Sequence, residues 1–195
     1  MRHPASYPVT LGIAVLGGVL AGSIVVGLTL AATLSIAWGA LSKALVSPGK
    51  GRIAWTAVAV VSALAAAIQF VPYGQDHTNP PATAEPVWDS PETRALAVRA
   101  CFGCHSNETA WRWYSDVAPV SWVVTNHVVV GRRVLNFSTW DGPQGELDEI
   151  GETIHEGEMP PAYYTILHPG ARLSDAEKQR LIDGLEATVG TSPPG

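Results

Sequence analysis

Between Val9 and Val46 the only charged side chain is Lys43, and between Ile53 and Val71 there is none. About 20 apolar residues at helical rise cover the ~30 Å hydrocarbon core of a bilayer, so each run is long enough to cross one. The spacing predicts two transmembrane helices near residues 10–38 and 53–72. The first run is longer than a crossing requires, and Gly12, Gly17, Gly18, Gly22 and Gly27 permit close helix packing or tilt. A cleaved signal peptide is the competing reading. Its apolar core would be only about 7–15 residues long, and no clear small-x-small site follows the run here.

The remainder of the chain has the opposite character. Residues 1–72 hold four basic side chains and no carboxylate, a formal +4, whereas residues 73–195 hold eight basic side chains and all 17 carboxylates, a formal −9. This asymmetry divides the chain into a two-helix anchor (1–72), a proline-rich tether (73–90) and a soluble domain (91–195). An acidic soluble part excludes nucleic acid as a partner, since phosphates are bound through Lys and Arg. Lys43, Lys50 and Arg52 gather between the two spans. The positive-inside rule therefore puts that connection in the cytoplasm and both chain ends on the outer face of a bacterial cytoplasmic membrane.

In the soluble part no segment alternates convincingly as a strand, and the expected fold class is mainly α. Ser90-Pro91-Glu92 starts a helix on which Leu96, Ala100 and Cys104 share a face, which places the cysteine pair at its end. A second helix is expected from Pro119 to Gly131 through Val120, Val123, Val124, His127 and Val128, although its valines also suit a strand. A third is expected over Glu146–Glu156, stopped by Gly157. Ser174-Asp175-Ala176-Glu177 is a capping box for the last, with Leu181, Ile182, Leu185 and Val189 at helical spacing. So few elements bury little apolar area on their own, and a small domain of this kind needs a staple.

Cys101-Phe102-Gly103-Cys104-His105 is the strongest chemical signal, and Cys101 and Cys104 are the only cysteines. Sulfurs at i and i+3 on one helical face can reach two haem vinyl groups, with the next imidazole set for the iron. A zinc half-site would need a second ligand pair, and a thiol–disulfide couple would usually follow a strand in a thioredoxin-like domain. The expected cofactor is one covalent haem c, the staple itself, with His105 as an iron ligand. Met159, in Gly157-Glu158-Met159-Pro160-Pro161, is the expected sixth ligand, because the paired prolines hold it on a stiff non-helical loop. His155, His127 and His168 are its rivals, and His77 lies too near the anchor. Trp113, Tyr114 and Trp122, together with Trp111, Trp140, Tyr163 and Tyr164, are expected to wall the macrocycle, while Arg112, Arg132 and Arg133 are candidates to pair with its propionates.

With these residues placed, the chain resembles the haem-binding domain family of bacterial membrane-anchored cytochromes c over roughly residues 68–190. The segments that carry the resemblance are Val71-Pro72-Tyr73-Gly74, His77-Thr78-Asn79-Pro80-Pro81, Cys101-Phe102-Gly103-Cys104-His105-Ser106-Asn107, Trp113-Tyr114-Ser115, Val117-Ala118-Pro119-Val120-Ser121-Trp122, Gly131-Arg132, Leu135-Asn136-Phe137-Ser138, Gly157-Glu158-Met159-Pro160-Pro161, Tyr164 and His168-Pro169. It implies one haem on Cys101 and Cys104, His105 as proximal ligand and Met159 as distal ligand. Two departures stand out. Arg112 occupies a position where the resemblance expects proline, and the segment before residue 45 adds to a family usually anchored by one helix.

The expected function is single-electron transfer, with both axial positions filled and the iron cycling between two oxidation states. The expected partners are the lipid bilayer and redox proteins with a basic docking face, such as a soluble cytochrome, a copper protein or a subunit of a larger respiratory or photosynthetic complex. A haem sensor or small haem enzyme with a displaceable sixth ligand is the alternative. A third reading, compatible with the first, makes the chain a subunit of a membrane complex.

Overall fold

A computed structural model describes residues 23–145, 147–192 and 194. The described chain is mainly helical, and it divides into two compact units: one comprises the chain through His77 with Trp111–Thr125, the other Thr78–Ala110 with Asn126–Gly195.

In the first unit α1 (Ile24–Val46) and α2 (Lys50–Ala67) pack together as a hairpin across the turn Ser47-Pro48-Gly49. The Ser23 hydroxyl caps α1 by accepting the Val26 N–H at 3.5 Å, and Gly49 turns the chain at φ +55°. Within the described part of the expected 10–38 span the helix starts at Ile24, and it runs on past residue 38 to Val46. The early part of that expected span lies outside the described residues. Lys43 fits inside the helix because its ammonium sits in the last turn, where the carbonyl ends favour a cation, and rests 4.4 Å from the Trp55 ring centre.

The seam buries Val26, Leu30, Ala31 and Ala66, and Gly27 and Ala31 give the four-residue small-residue spacing that lets helix backbones approach. Ile24, Leu28, Leu45, Ile53, Val61 and Leu64 remain outward and exposed. With the turn Ile68–Phe70 appended to α2, both helices are long and apolar enough to cross a membrane. Pro72 ends the second one, since a residue before proline is driven out of the helical region and Val71 is extended at ψ 121°. Just before this, the buried Gln69 amide donates to Ala118 O at 2.9 Å and accepts from Ala118 N–H at 3.0 Å.

The second unit contains α3 (Pro91–Ala100), α4 (Phe102–His105), most of α5 (Val120–Val134), α6 (Ile150–His155), α7 (Ala162–Leu167) and α8 (Asp175–Thr191). α5 is a helix to its end and passes three residues beyond Gly131. The expected 146–156 helix is a 3-10 turn, Leu147–Glu149, followed by α6, with Glu146 outside the described residues. Gly157 stops it at φ +79°, as a residue without a β-carbon can. α8 carries the full capping box.

Its core is Leu96, Ala97, Phe102, Phe137, Trp140, Ile154, Leu181 and Leu185, with Leu147, Ile150, Trp88 and Val189 packed against it. Phe102 stacks on Phe137 at 5.6 Å, and Trp88 reaches the same ring at 5.2 Å. Residues 78–90 lie along this unit without regular structure. Thr83 N–H donates to Ser138 O, Ala84 bridges to Thr139, and Glu85 takes a two-pronged bond from Arg94 at 2.7 Å.

Candidate functional site

Cys101 is where α3 fails to continue. Its N–H still donates to Ala97 O at 2.7 Å, but φ widens to −113° within the right-handed region, and its carbonyl accepts from Cys104 N–H (3.1 Å) and His105 N–H (2.9 Å) to begin α4. The expectation of one helix ending in the cysteine pair is therefore replaced by two. The short second helix buries Phe102 in the core and turns Cys101, Cys104 and His105 onto the wall of an apolar cavity of about 280 Å³.

Two close approaches shape that wall. A β-carbon on Gly103 would stand 2.5 Å from the Tyr164 hydroxyl, and one on Gly131 would stand 2.7 Å from Cys104 O. Glycine is needed at 131, where the neighbour is backbone, whereas at 103 the neighbour is the end of a tyrosine side chain that a β-carbon would displace. The facing wall comes from Ile150, Thr153 and Ile154 of the α6 region, with Leu181 and Leu185 of α8 behind.

The imidazole of His105 is fixed by Leu135. Its Nδ1 lies 3.1 Å from Leu135 O, and a carbonyl only accepts, so Nδ1 carries the proton and Nε2 keeps a lone pair. Burial pushes His105 below the ordinary histidine value, against the opposing pull of the Leu135 and Gly131 carbonyls. The ring is accordingly neutral at pH 7, as a metal ligand must be.

Burial also pushes the Cys101 thiol up to about 12, with Cys104 adding to the effect, and raises Cys104 against the pull of Arg132. Thiol exchange uses a thiolate, which this wall disfavours. A thioether has no proton to lose and incurs no such cost. Among the described residues no group of three His, Cys, Asp or Glu side chains is arranged to hold a metal ion.

Met159 lines the same cavity from a loop made by the end of α6. Thr153 O accepts the N–H groups of both Glu158 (3.0 Å) and Met159 (3.1 Å), so the left-handed turn at Gly157 brings the methionine back over the helix. Of the rival histidines only His127 lines the cavity, where its Nε2 meets the Tyr163 hydroxyl at 3.1 Å and the two rings stack at 5.4 Å. His155 is exposed, and His168 stacks on Tyr164 with its Nδ1 on that residue's carbonyl. His77 belongs to the first unit and is held by Ser115 O, Gly74 O and Asp116.

The aromatic residues divide. Tyr163 and Tyr164 line the cavity, and Trp140 is buried in the core beside Phe137. Trp113, Tyr114 and Trp122 belong to the first unit: Trp113 is two-thirds exposed, Tyr114 meets it edge-on at 5.8 Å, and the buried Trp122 Nε1 has no bonding partner among the described residues. Arg132 joins the loop after the cysteine motif to the segment at Asn79, donating to Ser106 O (2.8 Å), Thr109 Oγ1 (3.0 Å) and Asn79 Oδ1 (2.7 Å). Arg112 and Arg133 are exposed.

Sequence reasoning missed Leu135 and the two glycine contacts. The first acts through a backbone carbonyl, which leaves no mark on residue identity. The chemistry of the site fits a haem: two neutral thiols, an imidazole with Nε2 available and a thioether all border one apolar space. Residues 63–187 match the family described as a haem-binding domain. No curated protein and no solved structure matches the chain.

Proposed function

The chain belongs to the haem-binding domain family, and from that premise we propose that it is a mono-haem c-type cytochrome that carries single electrons on the outer face of a bacterial cytoplasmic membrane. The observation that carries this reading is that Cys101, Cys104, His105 and Met159 all border one apolar cavity, with the His105 ring held by Leu135 O.

In this reading a haem would be held through the Cys101 and Cys104 sulfurs, with His105 Nε2 and the Met159 sulfur as the groups that would bind its iron. When bound, the haem supplies an iron that gains and loses one electron. The residues do the rest by holding the two ligands in place, excluding water and setting the potential. Held by a methionine and a histidine together, the iron would have a raised potential and would offer no open position to a substrate or gas. The Leu135 bond keeps Nε2 basic, and the aliphatic walls disfavour the more charged state. The anchor orients with the Lys43, Lys50 and Arg52 side in the cytoplasm. The two-helix anchor also suits a subunit of a larger respiratory or photosynthetic complex, since a simple tether needs only one span.

The test is to express the full chain in a host with haem-attachment machinery and weigh the denatured polypeptide. A mass increase of one haem that disappears in Cys101→Ala/Cys104→Ala is expected, and a colourless chain of bare mass overturns the reading. Met159→Ala should retain the haem yet lose the near-infrared methionine–iron band. Carbon monoxide should leave the reduced spectrum of the unaltered protein unchanged, and rapid conversion would point to a sensor or small haem enzyme instead.

A further inference from the structure

α7 is turned the wrong way for a helix that serves only packing. Tyr163, Ile166 and Leu167 fall at i, i+3 and i+4 on one face, and they are 54%, 69% and 60% exposed, whereas Tyr164 faces the cavity and Gly103. Met159, 40% exposed, adjoins them across Pro160 and Pro161, and both Met159 and Tyr163 also line the cavity. An apolar patch thus forms its lip. Contiguous exposed apolar surface of this kind marks an interaction site.

The flanking charge selects the occupant. Asp148, Glu149, Glu152, Glu156 and Glu158 are all solvent-accessible, none forms an ion pair among the described residues, and from Leu147 to Leu167 there is no Lys or Arg. Glu149 itself lines the cavity, and Glu158 precedes Met159. An anionic bilayer surface would be repelled by these carboxylates, and so would a second copy presenting the same face. A cationic protein would be drawn in.

We propose that the lip formed by Met159, Tyr163, Ile166 and Leu167, with the carboxylates of 148–158 around it, is the docking face for a soluble redox protein whose own apolar centre is ringed by Lys and Arg. The apolar patch excludes water at the point of electron exit, while the carboxylates steer the encounter. This rests on the electron-carrier reading above and names the partner surface for it.

The full-length haem-loaded protein in detergent, reduced, is mixed by stopped flow with an oxidised basic cytochrome c whose haem edge is ringed by lysines, across a range of salt. Glu152→Gln/Glu156→Gln/Glu158→Gln should slow the second-order rate about tenfold at low salt and flatten its salt dependence. Ile166→Ser/Leu167→Ser should slow it about three- to tenfold with the salt slope retained. Asp175→Asn/Asp183→Asn on α8 should change neither. Rates within twofold of the unaltered protein in both test variants, with the spectrum and potential intact, overturn the docking face and leave the carrier reading standing. The docking face is equally overturned if the serine pair alters only crosslinked dimer yield or lipid contact. Absence of haem or of reversible reduction overturns the carrier reading instead. In that event binding of the same cytochrome to the immobilised full chain, with and without the substitutions, decides the docking face by itself.

Discussion

Gly131 passes Cys104 so closely that a β-carbon there would stand 2.7 Å from the Cys104 carbonyl oxygen and 3.2 Å from the Cys104 β-carbon. The obstacle is backbone on both sides, so neither element can swing away as a flexible side chain would. Gly131→Ala should therefore push α5 off the cysteine segment. A loss of about 1–3 kcal/mol is expected from such overpacking, read as a lower urea midpoint at unchanged slope, together with reduced haem content per chain. Unaltered haem content and stability would show that the two elements are free to separate.

Arg132 should resist replacement even by lysine. Its guanidinium satisfies three acceptors on two segments at once, whereas an ammonium is a single point. Arg132→Lys is expected to lose about 2–3 kcal/mol through the orphaned Ser106 carbonyl and its neighbours. Amide exchange at 106–109 should rise more than elsewhere in the domain.

The Tyr163 hydroxyl and His127 Nε2 tie α7, which follows the Met159 loop across Pro160 and Pro161, to α5. On the proposal that Met159 binds the iron, removing either partner, as Tyr163→Phe or His127→Phe, should speed its displacement by added imidazole severalfold. The double variant should match the singles, because one bond is lost in each, and a double-mutant cycle is expected to give a coupling of about 0.5–1.5 kcal/mol. Full additivity would remove the clamp.

Glu177 provides an acid-dependent contribution. The Ser174 backbone N–H, followed by Arg99 at 2.5 Å and the Ser174 hydroxyl, holds its carboxyl down to about 2 from an ordinary 4.5. A carboxyl lowered by folding stabilises the folded state above its unfolded value and ceases to do so as pH falls through the folded one. The stability difference between unaltered protein and Glu177→Gln should therefore be constant above about pH 5 and shrink steadily towards pH 2. A difference independent of pH would assign the effect to lost packing.

By itself the sequence determined what depends on near neighbours. The uncharged runs dictated two helices able to cross a membrane, the i, i+3 cysteines followed by histidine marked the site, and Ser174 with Glu177 marked the start of α8. Each needs only residue type and local spacing. Tertiary structure decided the rest: that α3 breaks at Cys101, that Leu135 O sets the His105 tautomer, that His127 reaches the cavity while His155 does not, and that Tyr163 and Tyr164 line it. A carbonyl is the same on every residue, and a wall assembled from Ala100 through Leu185 joins segments whose proximity no local pattern records.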